Sequence, residues 1–94
     1  MTDQQPSLVR TFLIADIRGY TSYTVQHGDE AAAALASRFA TLTEDVVRAH
    51  DGRVVEIRGD EVMAVFTSAC QGLLAAVALQ ERAHGPVINA LGLQ

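Results

Sequence analysis

A short β-type run, a long helix-periodic stripe, two β-type runs around a tight turn and a second helical stretch together predict an α+β fold in the order β-α-β-β-α. Thr11-Phe12-Leu13-Ile14-Ala15 is apolar and rich in strand formers and ends at Asp16, as a buried strand would. Ile17-Arg18-Gly19-Tyr20-Thr21-Ser22 breaks that pattern with a glycine and hydroxyls and reads as a loop. Gly28-Asp29-Glu30 then opens a helix with acids in its first turn, where the helix dipole favours them. Leu35, Phe39, Leu42 and Val46 recur along it at helical spacing. His50-Asp51-Gly52 closes it, with Gly52 suited to the left-handed backbone that follows a helix end.

Arg53 to Ile57 and Val62 to Phe66 form the two arms of a hairpin whose turn is Arg58-Gly59-Asp60-Glu61. Ser68 starts a second helix carrying Leu73, Leu74 and Val77, which Gly85-Pro86 ends. This is the ferredoxin-like order with its final strand missing or hidden in the tail, an antiparallel or mixed sheet with helices on one face. The expected organisation is a flexible tail over 1–8, one domain over 9–86 and a C-terminal tail over 87–94.

Composition narrows the function classes. The 94 residues allow one small domain, and 49% hydrophobic against 19% charged residues argues against a disordered chain. Eleven acids face seven bases, all of them arginine, for a net charge of −4. No basic stripe is present to displace phosphate counterions, so broad nucleic-acid binding is not expected. The single cysteine, Cys70, excludes an internal disulfide and a four-cysteine zinc site, and its place on a helix reads as packing. No apolar run is long enough to span a membrane, and Met1 to Pro6 lacks the regions of a signal peptide, so the expected location is cytoplasmic.

In this topology the first strand lies antiparallel beside the third, which carries Asp16 to the hairpin tip that holds Asp60. Two close carboxylates repel unless a cation neutralises them. Magnesium suits such a pair, because it accepts one or two carboxylates and completes its shell with water and substrate phosphates. Backbone amides over 17–21 are placed to cradle a phosphate beside it. A plainer reading stands next to this one: Asp16 caps a loop and Asp60 is a turn residue.

The stretch Phe12-Leu13-Ile14-Ala15-Asp16-Ile17-Arg18-Gly19-Tyr20-Thr21, followed by Asp51-Gly52-Arg53-Val54-Val55-Glu56-Ile57-Arg58-Gly59-Asp60-Glu61-Val62-Met63-Ala64-Val65-Phe66, closely resembles class III adenylate/guanylate cyclase catalytic domains. The resemblance runs over about residues 10–84, in the family's order and spacing. It implies that Asp16 and Asp60 bind metal, two Mg2+ (or Mn2+) ions per site. It implies that the backbone of Ile17, Arg18, Gly19, Tyr20 and Thr21 wraps the triphosphate of GTP or ATP. The products would be a cyclic nucleotide and pyrophosphate, formed as the ribose 3′-hydroxyl attacks the α-phosphorus.

Glu56 occupies the position where adenylate cyclases of this family carry a lysine and animal guanylate cyclases a glutamate. A carboxylate only accepts hydrogen bonds, and guanine offers it N1–H and the exocyclic amine, whereas adenine N1 is itself an acceptor. Against this stands Glu56 as a polar residue of an exposed strand face, tied by strand alternation to Arg58 in an ion pair. Arg18 reads as a solvated arginine, and His27, His50 and His84 as caps or exposed side chains at loops and helix ends. Arg58-Gly59-Asp60 also spells the adhesion tripeptide, which a hairpin tip explains better.

The family's domain continues past Gln94 with an Asn and an Arg that orient the ribose and stabilise the transition state. After Arg82 this chain has Asn89 but no arginine. In the family one subunit supplies the metals and another the Asn/Arg pair, so the isolated chain is expected to be inactive and to act in a homodimer or beside another cyclase domain. Two further readings remain: a non-catalytic module that dimerises with cyclases and regulates them, and a diguanylate cyclase relative, whose hairpin signature Gly59-Asp60-Glu61 partly echoes.

The solvent-facing side of the sheet is expected to carry Val54, Glu56 and Arg58, with Val55 and Ile57 turned to the helices. Phe12, Ile14, Val62, Ala64 and Phe66 are candidates for the same outer face, an apolar patch that favours self-association.

Overall fold

The computed structural model describes residues 10–83. The expected tails over 1–8 and 87–94, His84, the Gly85-Pro86 helix stop and Asn89 lie outside the described residues.

The chain runs β1 (Thr11–Asp16), α1 (Tyr20–His27), α2 (Asp29–Ala49), β2 (Gly52–Arg58), β3 (Glu61–Phe66) and α3 (Ala69–Arg82). The three strands form one antiparallel sheet in the order β1-β3-β2. The α+β class and the central place of the third strand match the sequence expectation. The core lies between the sheet and the helices: Ala15, Val62, Ala64 and Phe66 meet Leu35, Phe39, Val46 and Val47 of α2 and Ala75 and Leu79 of α3. Burial of these side chains is the main force that holds the layers together.

The segment expected to be a loop holds an extra helix, α1. No residue of α1 is buried, so apolar periodicity cannot reveal it. Its two half-buried tyrosines, Tyr20 and Tyr23, pack against the core, and polar contacts add to them. The Tyr20 hydroxyl donates to the Ala32 carbonyl at 3.0 Å and pins α1 to α2. The Tyr23 and His27 rings stack with centroids 4.2 Å apart. Gly28 serves both helices, donating to Thr24 O at 2.8 Å and accepting from Ala32 N–H at 3.1 Å.

Helix α2 buries Leu35, Phe39 and Val46 as its spacing predicts, with Leu42 packed at the margin. Its end differs in detail. The left-handed residue is Asp51, at φ 62°, and not Gly52. Gly52 already belongs to β2, where the Phe66 ring occupies the space a Cβ would need. The glycine is therefore required for close packing against the core aromatic. His50 caps α2, its Nδ1 lying 2.8 Å from the Val46 carbonyl oxygen.

Helix α3 starts as expected, with the Ser68 hydroxyl accepting from Gln71 N–H at 3.1 Å. Its buried face is the reverse of the expectation. Gly72, Ala75 and Leu79 face the core, and Leu73, Leu74 and Val77 stay exposed. Close approach at one point contributes: a Cβ on Gly72 would lie 2.9 Å from Thr11 Cγ2 and 3.3 Å from Phe66 Cδ1, so no side chain fits there. Cys70 is exposed on this helix and is not a packing residue.

The sheet faces also need one correction. Val62, Ala64 and Phe66 are core residues, and the outer face of β3 holds Glu61, Met63 and Val65. On β2 a register shift between Val54 and Glu56 inserts one extra residue. Val54 pairs with Ala64 and packs on the core, Ile57 pairs with Val62, and Val55 is the inserted, exposed residue. The expectation that Val55 turns inward and Val54 outward fails at this bulge. Phe12 and Ile14 do share the outer face with Asp16 and are 60% and 57% exposed.

Candidate functional site

The register of β1 against β3 assembles the candidate site. Phe12 pairs with Val65, Ile14 with Met63 and Asp16 with Glu61. Asp60 precedes Glu61 in the two-residue turn whose first position, Gly59, has φ 56°. Residues 16 and 60 are thus brought to one end of the sheet from positions far apart in the chain. Asp16 is exposed and Asp60 half-buried. No ion pair among the described residues engages either carboxylate.

Glu61 completes a row of charge across the outer face, between Asp16 on one side and Arg58 on the other. Glu56 stands in the next row, beside Met63 and Ile14. Its carboxylate does not stand alone: Arg58 Nη2 donates to Glu56 Oε2 at 2.6 Å. The hydrogen bond to Glu56 first, then the charges of Glu56 and Glu61, hold the exposed Arg58 guanidinium above its ordinary pKa.

The stretch 17–21 divides into two parts. Ile17 is buried in the core beside Ala15, and Arg18 is exposed. Gly19 takes left-handed backbone at φ 76° and caps α1, and its carbonyl accepts from Tyr23 N–H at 2.9 Å. Tyr20 and Thr21 are therefore the first residues of a helix and not part of a loop. The first N–H groups of any helix lack intrahelical acceptors, and here they open next to the end of β1 that carries Asp16.

Among the described residues no group of three or more His, Cys, Asp and Glu side chains is arranged to hold a metal ion. A cage made wholly of protein ligands is therefore not present there. Asp16 and Asp60, at one end of the sheet, have the donor chemistry for a magnesium ion that takes its remaining ligands from water and phosphate. The helix start at Gly19 was hidden from sequence reasoning, and the glycine next to Tyr20 was its one local signal.

No family model matches the chain. Over 72 residues, 77% of its length, it is 36% identical to serine/threonine-protein kinase pkn2 of Myxococcus xanthus, of which it covers 9%. Over 58 residues, 62% of its length, it is 31% identical to adenylate cyclase 1 of Rhizobium meliloti (strain 1021), again covering 9% of that protein. The chain thus spans less than a tenth of these curated relatives.

Among solved structures it superposes on a bacterial light-regulated adenylyl cyclase with TM-score 0.75 and 22% identity, over 97% of this chain and 30% of that one. A second bacterial light-regulated adenylyl cyclase structure gives TM-score 0.74 and 23% identity, over 94% and 52%. The adenylyl cyclase CyaB from P. aeruginosa gives 0.68 and 23%, over 90% and 51%. No helix among the described residues is long and apolar enough to cross a membrane. The three-stranded antiparallel sheet and its helices have the fold of a part of these bacterial adenylyl cyclase structures.

Proposed function

We propose that the chain is the metal-binding part of a class III nucleotide cyclase domain, which forms cAMP or cGMP and pyrophosphate from ATP or GTP in signalling within the cytoplasm. One observation carries the reading: the Asp16–Glu61 register, which sets Asp16 and Asp60 at one end of a sheet of adenylyl cyclase fold. Asp16 and Asp60 would hold magnesium or manganese, and the ions would supply charge neutralisation at the phosphates and a more acidic ribose hydroxyl. The amides from Ile17 to Thr21 would orient the triphosphate at the start of α1, where backbone N–H groups favour anions. Glu56 lies on the same outer face as Asp16, two pairing rows of the sheet forming the floor for a nucleotide.

Asp16, Asp60 and the backbone over 17–21 would form the metal and triphosphate side of such a site, and the Asn and Arg that complete it in the family would come from outside residues 10–83. A second reading is a regulatory module that pairs with cyclases without turnover; a stretch 36% identical to this chain also stands inside a protein named as a serine/threonine kinase. Calorimetric titration of the chain with GTP and ATP separates these readings from a plain structural domain. The expected result is binding that requires magnesium and that Asp16→Asn or Asp60→Asn abolishes, with no cyclic nucleotide formed by the chain alone. Binding indifferent to magnesium and to both substitutions overturns the site. Turnover by the isolated chain that is lost in Asp60→Ala overturns the half-site assignment.

A further inference from the structure

Glu56 and Arg58 lie two residues apart on β2, on the face that also carries Asp16. Their ion pair occupies Glu56 Oε2, and no other ion pair among the described residues engages Glu56. The side chains are 73% exposed for Arg58 and 46% for Glu56, so both remain open to a ligand on this face.

We propose that Arg58 is the residue that sets base choice: the Glu56–Arg58 pair meets a purine as one donor–acceptor unit that takes adenine and guanine alike. The proposal rests on the nucleotide-site reading above. A lone carboxylate offers acceptors only, so it suits the N1–H and amino donors of guanine and repels the N1 acceptor of adenine. Beside a guanidinium the edge changes character. A guanidinium N–H next to a carboxylate oxygen complements the N1 acceptor and 6-amino donor of adenine. The same two groups complement the O6 acceptor and N1–H donor of guanine. Arginine keeps its charge throughout the physiological range and has donors left over after serving one carboxylate oxygen. A glutamate at this position therefore does not by itself make the surface a guanine reader.

The test is competition of GTP and ATP for the full 94-residue chain in magnesium, followed by displacement of a fluorescent GTP analogue. Wild type is expected to bind the two within about threefold, because one donor–acceptor pair serves either base. Arg58→Ala is expected to weaken ATP about tenfold relative to GTP, the scale of one lost complementary contact. Arg58→Lys should restore part of the ATP affinity. The melting temperature should hold in all variants, since an exposed ion pair contributes little to folding. An unchanged GTP:ATP ratio in Arg58→Ala, or a wild type that already prefers GTP tenfold or more, overturns the role of Arg58. Binding by wild type that is absent, or that survives Asp16→Asn, overturns the nucleotide site itself and the base choice with it.

Discussion

Helix α2 reaches the sheet with Leu35, Phe39, Val46 and Val47, whereas α3 reaches it with Gly72, Ala75 and Leu79. Both lie against one sheet, yet α2 buries Leu35 and Phe39, whereas α3 buries a single large residue, Leu79, and leaves Leu73, Leu74 and Val77 outside. Distance makes the difference. Phe39 fills the space under α2, while the Thr11 methyl and the Phe66 ring come so close to α3 at Gly72 that no side chain fits. Helical periodicity shows which residues share a face. The gap available beneath the helix decides which face turns inward.

Three variants break or sharpen this contrast, each read by denaturant unfolding of the chain. Phe39→Ala removes a fully enclosed ring from α2 and should cost about 3–5 kcal/mol, or leave the chain unfolded. Gly72→Val forces a branched side chain against Thr11 and Phe66 and should cost about 1–3 kcal/mol through overpacking. A value near zero would show that α3 can lift from the sheet, and the account of its small-residue face would fall. The double variant Leu73→Gln, Val77→Gln should change stability by no more than about 0.5 kcal/mol, as surface exchanges do. A large loss there would mean that this stripe packs against something in the intact chain.

Much of the fold is legible in the residues because strand and helix periods are written in apolar side chains. The β1 run, the α2 stripe and the hairpin around Gly59-Asp60 all carry that signal, and the structure places them as expected. Helix α1 is not legible, because it meets the core with only two half-buried tyrosines, Tyr20 and Tyr23, and shows no apolar stripe; the Tyr20 hydroxyl then ties it to α2. The inward face of α3 is hidden for another reason: the contact that demands Gly72 comes from Thr11 and Phe66 on two different strands. At the candidate site, the placement of residues 16 and 60 at one end of the sheet follows from the expected antiparallel pairing of the first strand with the third. The Glu56–Arg58 bond follows from the two-residue period of a strand, since neither side chain needs anything beyond β2 to find the other.

The extra residue at Val55 works as a frame shift within β2. Upstream of it, even-numbered residues such as Gly52 and Val54 take the core side. Downstream the odd-numbered Ile57 takes that side, opposite Val62 but 52% exposed and outside the core as against the expectation, and the even-numbered Glu56 and Arg58 face out. A strand with unbroken alternation from Val54 would turn Glu56 and Arg58 to the helix side of the sheet and Ile57 to the outer side, because the side-chain period is two. Loss or gain of one residue here therefore moves the charged pair from the outer face to the helix side of the sheet, while the length of the hairpin barely changes. The spot is intolerant of insertions and deletions even though Val55 itself touches little, and the reason is parity: the chain counts residues in twos from the Phe66 ring outward, and Val55 resets the count just before the two charges.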